Sequence, residues 1–151
     1  MDLIGKTILI TGATDGIGKV LAQEFSRLGS NIILLGKNSS KLDAVYDQLD
    51  DSFDSQKHLI LEADLSHLNN ESAHEIFIAI SSEFNTLDGI IHNAAILGTM
   101  TPLEDYELSK WDEVLNINLR APFLLTKTLK SIIENSPMPR IIFTSSGVAN
   151  V

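Results

Sequence analysis

The segment of this sequence with the clearest chemical meaning is a turn that contains three glycines. It reads TGATDGIG over residues 11–18 and joins an apolar run at 6–11 to a helical pattern that begins at Ile17. The first N–H groups of a helix have no acceptor within that helix, and the positive end of the helix dipole reinforces them. The turn therefore predicts a binding site for a pyrophosphate.

The three glycines of this turn have separate expected roles. Gly12 permits the tight turn, Gly16 lets the backbone approach a ligand because no Cβ intervenes, and Gly18 lets the helix pack closely against the strand. A turn without a ligand is the competing interpretation, and the flanking strand and helix disfavour it. The residues of the turn that we expect to contact a dinucleotide are Thr11, Gly12, Thr14, Asp15, Gly16, Ile17 and Gly18.

The end of the second apolar run bears on the choice of cofactor. NAD-binding sites usually carry an acid there, about 20 residues beyond the glycines, whereas this chain has GKN at 36–38. A carboxylate would repel the 2′-phosphate of NADP and a lysine attracts it, so we expect Lys37 and Asn38 to contact NADP(H) in preference to NAD(H). Asp15 opposes this preference by adding negative charge near the same pocket, and a solvated loop charge is the alternative interpretation of Lys37.

An asparagine interrupts the apolar stripe of a helix predicted between about Ser109 and Asn135. That stripe consists of Trp111, Leu115, Pro122, Leu125 and Leu129. Asn118 falls on the same inward face, where a buried amide needs hydrogen-bond partners. Pro122 has no N–H to donate to the carbonyl of Asn118, which leaves that carbonyl free to bind a water. A helix kinked for packing alone is the alternative.

Apolar runs with the pattern of buried strands alternate with amphipathic helical stripes along the whole chain. The predicted strands are 6–11, 31–35, 58–62, 87–93 and 140–145. Strands that alternate with helices form right-handed βαβ units, so we predict an α/β fold with a doubly wound, Rossmann-like parallel sheet and the strand order 3-2-1-4-5. No linker or repeat interrupts the pattern, so residues 1–151 are expected to form a single dinucleotide-binding domain.

The helical stripes also predict helix caps and inward-facing side chains. We expect the second helix to be capped by Ser39 or Ser40 and the third by Asn69 or Asn70. The inward-facing residues of the first three helices are expected to be Ile17, Val20, Leu21, Phe25, Leu28, Leu42, Val45, Tyr46, Leu49, Ala73, Ile76, Phe77, Ile80 and Phe84.

The composition excludes several classes of function. The chain has no cysteine, which excludes disulfides, thiolate zinc sites and a cysteine nucleophile, and no metal site is expected. Acidic residues outnumber basic ones by 20 to 11, which argues against nucleic acid or an anionic membrane as a partner. Residues 1–3 do not resemble the start of a signal peptide, and no stretch approaches the ~20 apolar residues of a membrane span, so a cytoplasmic location is expected.

Several motifs together resemble the short-chain dehydrogenase/reductase family. TGATDGIG is similar to its TGxxxGIG signature, and LDGIIHNAA at 87–95 resembles its NNAG motif, from which His92 and Ala95 depart. GKN at 36–38, LDGIIHNA and FTSS at 143–146 are especially similar to a subgroup of enterobacterial oxidoreductases. The resemblance implies an oxidoreductase that transfers hydride between NADP(H) and an alcohol or carbonyl substrate, as a homodimer or homotetramer.

The resemblance also implies contacts of single residues with the cofactor. Asp64 would accept a hydrogen bond from the adenine amino group, with Leu65 against the ring. Asn93 would steady the central strands, while the backbone of Ala94 and Ala95 would lie against the nicotinamide ribose.

Two catalytic residues are implied in the same way. Asn118 matches the family's asparagine in the pattern Asn-Leu-x-x-x-Phe, whose kinked backbone holds a water in a proton relay. Ser146 would hydrogen-bond the substrate oxygen without acting as a nucleophile. His92 is expected to be a hydrogen-bonded core residue and not a catalytic base.

The family's acid is a tyrosine whose pKa is lowered by a lysine in a Tyr-x-x-x-Lys string. The only such string here, Tyr106 to Lys110, precedes Asn118 and is interpreted as a coincidence. The expected pair would follow Ser146, so we expect a fragment or short form that lacks the last strands and is inactive alone. The alternative function is a noncatalytic dinucleotide-binding module. A receiver or flavodoxin-like domain is disfavoured because the acidic cluster that a receiver needs is absent.

Overall fold

A five-stranded parallel sheet forms the centre of the structure, a computed structural model that describes residues 3–146. Its strands are β1 Thr7–Thr11, β2 Asn31–Gly36, β3 His58–Glu62, β4 Gly89–His92 and β5 Arg140–Phe143. Their order is β3-β2-β1-β4-β5, with every neighbouring pair parallel. The predicted fold class and strand order are confirmed. Residues 1–2, from the segment considered for a signal peptide, and 147–151, which follow Ser146, lie outside the described residues.

Helices cover both faces of this sheet. They are α1 Gly16–Arg27, α2 Ser39–Tyr46, α3 Asn70–Glu83, α4 Leu108–Leu115, α5 Ala121–Thr128 and α6 Lys130–Glu134. A π-helical turn at Asn116–Arg120 joins α4 to α5, and short 3-10 turns lie at Leu65–His67 and Leu103–Asp105. Within residues 3–146, no helix combines the length and the apolar character that crossing a bilayer requires.

Burial along the strands follows their position in the sheet. All of β1 is buried, because successive side chains alternate between two core clusters: Leu9 packs in the cluster that contains α3 and α5, and Ile8 and Ile10 in the one that contains α1 and α2. β5 is an edge strand, and all of its residues are exposed. β4 begins later than predicted because the N–H of Leu87 bonds to the carbonyl of Ile132, outside the sheet.

Helix α1 packs on the sheet through small residues. Its buried residues are Gly18, Ala22 and Ser26. The prediction was wrong for four side chains of the first two helices, which are exposed: Ile17, Val20, Leu28 and Tyr46. Helix α1 lies so close to the ends of the strands that only small residues fit on its buried face. A Cβ at Gly18, for example, would lie 2.6 Å from Nδ2 of Asn93. The periodic pattern had instead placed the largest apolar side chains inward.

The caps of α2 and α3 are asparagines. The side chain of Asn38 accepts a hydrogen bond from the N–H of Lys41 at 2.9 Å, so Asn38 caps α2 and the predicted Ser39 or Ser40 does not. Both serines belong to the first turn of the helix, and the side-chain oxygen of Asn38 reaches the N–H three residues along the chain. Asn69 caps α3, as predicted.

The long helix predicted over 109–135 is divided into segments. Pro122 accounts for the π turn, since it lacks an N–H and its ring crowds the carbonyl four residues earlier, so the helix widens before it. The wider turn shifts the phase of α4 relative to α5. Trp111 and Leu115 are therefore 53% and 40% exposed, against the prediction, whereas Pro122, Leu125 and Leu129 are buried as predicted.

Asp88 joins three elements at the amino end of the sheet. Its carboxylate accepts hydrogen bonds from the Thr7 N–H at 3.0 Å, the Ser136 hydroxyl at 2.7 Å and the Lys6 ammonium at 3.0 Å. Burial opposes ionisation of this carboxyl, but the three donors outweigh it and hold the pKa of Asp88 below its usual value. The ionised form of Asp88 therefore stabilises the folded state.

We expect Asp88→Asn to lower the free energy of unfolding by about 2 kcal/mol near neutral pH, because hydrogen bonds to a charged group are weakened. A lowered folded-state pKa makes this stabilisation full above pH ~4, and it is lost as the pH falls through the folded-state pKa. Urea unfolding should thus show a difference between wild type and variant that shrinks on acidification. Asp43→Asn, at an exposed position of α2, is the control and should change stability by less than about 0.5 kcal/mol. Equal effects of the two substitutions would contradict the assignment.

Candidate functional site

A cleft of about 420 Å³ opens at the carboxyl ends of the strands, the edge at which open α/β sheets bind ligands. Most of the predicted cofactor residues line it: Gly12, Thr14, Asp15, Gly16, Lys37, Asp64, Leu65, Asn93, Ala94 and Ala95. Four predicted residues do not: Thr11, Ile17, Gly18 and Asn38. Four further lining residues were not predicted from the sequence: Gly36, Ala63, Ile96 and Ile117. In the sequence, only their positions at or just after the end of a predicted strand, or next to a motif, could have indicated that they line the cleft.

The glycine turn is held close to the segment that follows β4. Gly12 has a φ of 64°, and a Cβ there would lie 2.8 Å from the Cα of Ala94, so only glycine fits. The N–H of Gly12 donates to the carbonyl of Leu35 at 2.9 Å, which anchors the turn to the end of β2. A Cβ at Gly16 would meet nothing within 4 Å, so the space beside this residue opens into the cleft.

The first turn of α1 presents N–H groups to the cleft side of the sheet. The carboxylate of Asp15 accepts a hydrogen bond from the N–H of Gly16 at 2.7 Å. No acceptor for the N–H groups of Ile17 and Gly18 is found within residues 3–146. The side chain of Ile17 is exposed and Gly18 is buried, and the anion site that the sequence predicts at their N–H groups stays a prediction.

Thr11 holds the backbone around the cleft and does not line it. Its side chain is buried, and its hydroxyl accepts hydrogen bonds from the N–H groups of Asn93 and Ala94, both at 3.1 Å. The same hydroxyl donates to the carbonyl of Ile91 at 3.4 Å. Thr11 thus fixes the chain where β4 ends.

Asn93 connects three strands at this edge of the sheet. Its Nδ2 donates to the carbonyls of Thr11 and Gly12, each at 3.3 Å, and its Oδ1 accepts from the hydroxyl of Thr144 at 3.4 Å. These contacts reach the ends of β1 and β5 from the end of β4. The arrangement is the one expected of a residue that steadies the central strands.

His92 is a core residue, as predicted. It is 4% exposed, its Nε2 lies 2.9 Å from the hydroxyl oxygen of Thr126, and its ring stacks on Phe143. Burial lowers the pKa of His92 to about 4, so the ring is neutral at neutral pH. A neutral imidazole enclosed between α5 and β5 serves packing.

The end of β3 leads into a short turn that begins at Asp64. The carboxylate of Asp64 accepts hydrogen bonds from the hydroxyl of Ser66 at 2.7 Å and from its N–H at 2.9 Å, and it lies 3.3 Å from Nδ1 of His67. The Ser66 hydroxyl is the main reason that the pKa of Asp64 is lowered. Leu65 is buried beside it and supplies an apolar wall.

The end of β2 brings a cation to the cleft. Lys37 is exposed and lines the cleft, and none of the ion pairs found within residues 3–146 includes it. Asn38, its neighbour, uses its side-chain oxygen to cap α2. Lys37 is therefore the side chain at this edge that is placed to attract an anion.

Asn118 lies in the π turn and is exposed, so the prediction that its amide is buried was wrong. Its side chain instead makes two hydrogen bonds to one residue of the segment after β4. Oδ1 accepts from the N–H of Ile96 and Nδ2 donates to the carbonyl of Ile96, both at 2.9 Å. The π turn shifts this amide from the apolar stripe toward the wall of the cleft.

We expect Asn118→Ala to speed hydrogen exchange of the Ile96 amide by about 30-fold, because the two bonds that hold this residue contribute about 1 kcal/mol each. Exchange measured by NMR or mass spectrometry tests this expectation. Asn116→Ala, in the same π turn but outside the cleft, is the matched control and should leave Ile96 unaffected. Equal exchange rates in wild type and Asn118→Ala would show that the two hydrogen bonds between Asn118 and Ile96 do not restrain the segment after β4.

Ser146 and the Tyr-x-x-x-Lys string at 106–110 remain to be placed. Ser146 follows β5 at its carboxyl end and is exposed. In the string at 106–110, Lys110 forms an ion pair with Glu113 at 3.0 Å, and this contact raises the pKa of Lys110. The hydroxyl of Tyr106 lies against Gly98 in the segment after β4. Lys110 is thus engaged with its own helix, which supports the interpretation of the string as a coincidence.

Comparison with known proteins assigns the family. The sequence profile of the short chain dehydrogenase family matches residues 6–151. The chain belongs to this family of oxidoreductases. Within it, the chain is 34% identical to the uncharacterized oxidoreductase YciK of Escherichia coli K12 over 143 residues, and the expected similarity to an enterobacterial subgroup is confirmed.

Solved structures of other short chain dehydrogenases are also similar to this one. A short chain dehydrogenase from Salmonella enterica serovar Typhi aligns with a TM-score of 0.91 and 34% identity over 98% of this chain and 60% of that one. A protein described as a short chain dehydrogenase from Escherichia coli CFT073, complexed with NADPH, aligns with a TM-score of 0.90 and 33% identity over 99% of this chain and 62% of that one. The YciK alignment covers 95% of this chain and 56% of YciK. The chain thus spans little more than half the length of these relatives.

Proposed function

We propose that residues 1–151 act as a single nicotinamide-dinucleotide-binding domain of an oxidoreductase. The observation that carries the proposal is the cleft at the glycine turn, which Gly12, Thr14 and Gly16 line, next to the first turn of α1, where the N–H groups of Ile17 and Gly18 have no acceptor within residues 3–146. A pyrophosphate is the ligand that such a helix start binds. In the protein to which the chain belongs, hydride would pass between the nicotinamide and an alcohol or carbonyl substrate.

The preferred cofactor in this proposal is NADP(H). Lys37 carries a positive charge with no partner carboxylate among the described residues, at the strand end where an acid would exclude a 2′-phosphate. The similar Escherichia coli CFT073 protein complexed with NADPH supports the choice. Asp15 lies on the same cleft and opposes it, so the strength of the preference depends on the balance of these two charges.

The remaining residues have roles that follow from their places around the cleft. Asp64 and Leu65 would hold the adenine, and the backbone of Ala94 and Ala95 would lie along the nicotinamide ribose. Asn118, which holds Ile96 on the wall of the cleft, would take part in proton transfer, and Ser146 would orient the substrate oxygen. Thr11 and Asn93 would act through the backbone that they position.

Calorimetric titration of the purified chain with NADPH and with NADH tests the proposal directly, followed by an assay of carbonyl reduction. We expect saturable uptake, tighter for NADPH. Absence of uptake of either nucleotide by a folded sample would reject the proposal. Binding without turnover by these 151 residues would favour a noncatalytic dinucleotide-binding module.

We also propose that the full protein is a homo-oligomer that associates through α4, the π turn and the start of α5. Trp111, Leu115, Leu119 and Phe123 form an apolar set there, each at least 40% exposed. Phe123→Glu is expected to shift the chain toward monomer in analytical ultracentrifugation, because a charge would be buried at the contact. Leu28→Glu, at the exposed C-cap of α1, is the control. The surface is excluded if both variants sediment as the wild type does.

A further inference from the structure

The sequence contains two Asp-Gly pairs, and the structure places them in opposite surroundings. Asp15-Gly16 lies on the rim of the cleft with both residues exposed, whereas Asp88-Gly89 lies at the start of β4. In an Asp-Gly pair, the glycine nitrogen can attack the carboxyl carbon of the aspartate because no side chain hinders its approach. Whether the reaction occurs depends on how closely the two atoms can meet.

At Asp15 the two reacting groups are already adjacent. The nitrogen of Gly16 lies 2.7 Å from Oδ1 of Asp15, and this oxygen is bonded to the carbon that would be attacked. Gly16 has a φ of 50°, and nothing lies within 4 Å of the position that its Cβ would occupy, so the peptide has room to turn. Both residues are exposed to the water that the later hydrolysis consumes.

At Asp88 the same reaction is prevented. The carboxylate is held by the N–H of Thr7, the hydroxyl of Ser136 and the ammonium of Lys6. Gly89 is buried and paired with β1 and β5. Its peptide cannot turn toward the side chain of Asp88 unless the centre of the sheet opens.

We propose that Asp15 is a site of spontaneous isoaspartate formation that inactivates the glycine turn. The nitrogen of Gly16 forms a bond to the carboxyl carbon of Asp15 and loses its proton, and the protonated carboxyl loses its hydroxyl, so one water leaves and a succinimide forms. Hydrolysis returns that water at either carbonyl of the ring. Opening at the main-chain carbonyl leaves the side-chain methylene in the backbone and a free α-carboxylate beside it.

The consequence for binding rests on the proposed nucleotide function. An additional backbone atom before Gly16 displaces the N–H groups of Ile17 and Gly18, and the new carboxylate lies at the edge of the anion site. We therefore expect the isomerised protein to bind NADPH less tightly, by about tenfold or more, since each charge-assisted bond contributes about 1.5–3 kcal/mol, which converts to that factor. Bound NADPH should in turn slow the reaction by holding the turn in place.

The test is prolonged incubation of the purified chain at neutral pH, followed by tryptic mapping. Trypsin releases residues 7–19, in which Asp15 is the only aspartate, and 58–110, which contains Asp88. Isoaspartate is measured by enzymatic carboxyl methylation and located by fragmentation mass spectrometry. We expect conversion at Asp15 to exceed that at Asp88 by at least about tenfold, because Asp88 reacts only from a locally opened state. No isoaspartate in 7–19, or equal conversion at the two sites, would overturn the proposal.

The variant Asp15→Ser and the affinity for NADPH distinguish a failure of this proposal from a failure of the proposed nucleotide function. Asp15→Ser keeps a short hydrogen-bonding side chain before α1 but cannot form the succinimide, so the signal in 7–19 should vanish while the chain stays folded. A signal that persists there would overturn the proposal. Conversion at Asp15 that leaves NADPH affinity unchanged would uphold the modification, overturn the claim that it inactivates the turn, and count against a nucleotide site at this turn.

Discussion

Gly16→Val is expected to weaken NADPH binding by between about tenfold and about 100-fold, because the loss of even one charge-assisted hydrogen bond to phosphate is worth about 1.5–3 kcal/mol. The space beside Gly16 opens into the cleft, and valine would occupy it and hold the pyrophosphate away from the N–H groups of α1. Calorimetric titration with NADPH measures the effect. Unchanged affinity would remove the glycine turn from the binding site.

The control for this substitution must separate backbone strain from loss of the ligand. Valine at the φ of 50° of Gly16 is strained and is expected to lower the free energy of unfolding by about 1–3 kcal/mol. Gly5 has a φ of 71° and also nothing within 4 Å of a Cβ, and it precedes β1, at the opposite end of that strand from the cleft. Gly5→Val should therefore show a similar loss of stability with normal NADPH affinity. Weakened NADPH binding in both variants would mean that backbone strain, and not a side chain in the space of the pyrophosphate, is responsible.

Lys37→Asp is expected to lower the affinity for NADPH by about 10- to 100-fold and to leave the affinity for NADH equal or higher, which reverses the preference. The substitution removes the cation at the end of β2 and places a carboxylate where it would repel a 2′-phosphate and accept hydrogen bonds from a ribose. The ratio of the two dissociation constants is the quantity to measure. An equal fall for both nucleotides would show that Lys37 does not contact the 2′ position.

A second lysine provides a control for net charge. Lys41 is exposed in the first turn of α2 and does not line the cleft. Lys41→Asp changes the charge of the chain by the same amount as Lys37→Asp. We expect it to leave the ratio of NADPH to NADH affinity unchanged, since an exposed charge outside the cleft is screened by salt.

The architecture could be predicted from the sequence because it depends on patterns that act locally. Alternating apolar runs and helical stripes specified the parallel sheet, and the handedness of βαβ units restricted the order of its strands. The glycine turn was also recognisable from the sequence. Gly12 and Gly16 adopt a positive φ, a backbone conformation that favours glycine whatever the surrounding structure. The ends of parallel strands share one edge, so the cleft that gathers Lys37, Asp64 and Asn93 followed from the order of elements.

Tertiary structure decided which side chains act directly and which act through the backbone. Thr11 was expected at the ligand, but its hydroxyl is buried against the N–H groups that follow β4, a contact between residues 82 and 83 positions apart. Asn118 was expected in the core, but Pro122 widens the helix before it and the amide meets Ile96. Periodicity reports only the spacing along one element. The distance between elements and a local change in helical phase are set by packing, which the sequence of a single segment does not contain.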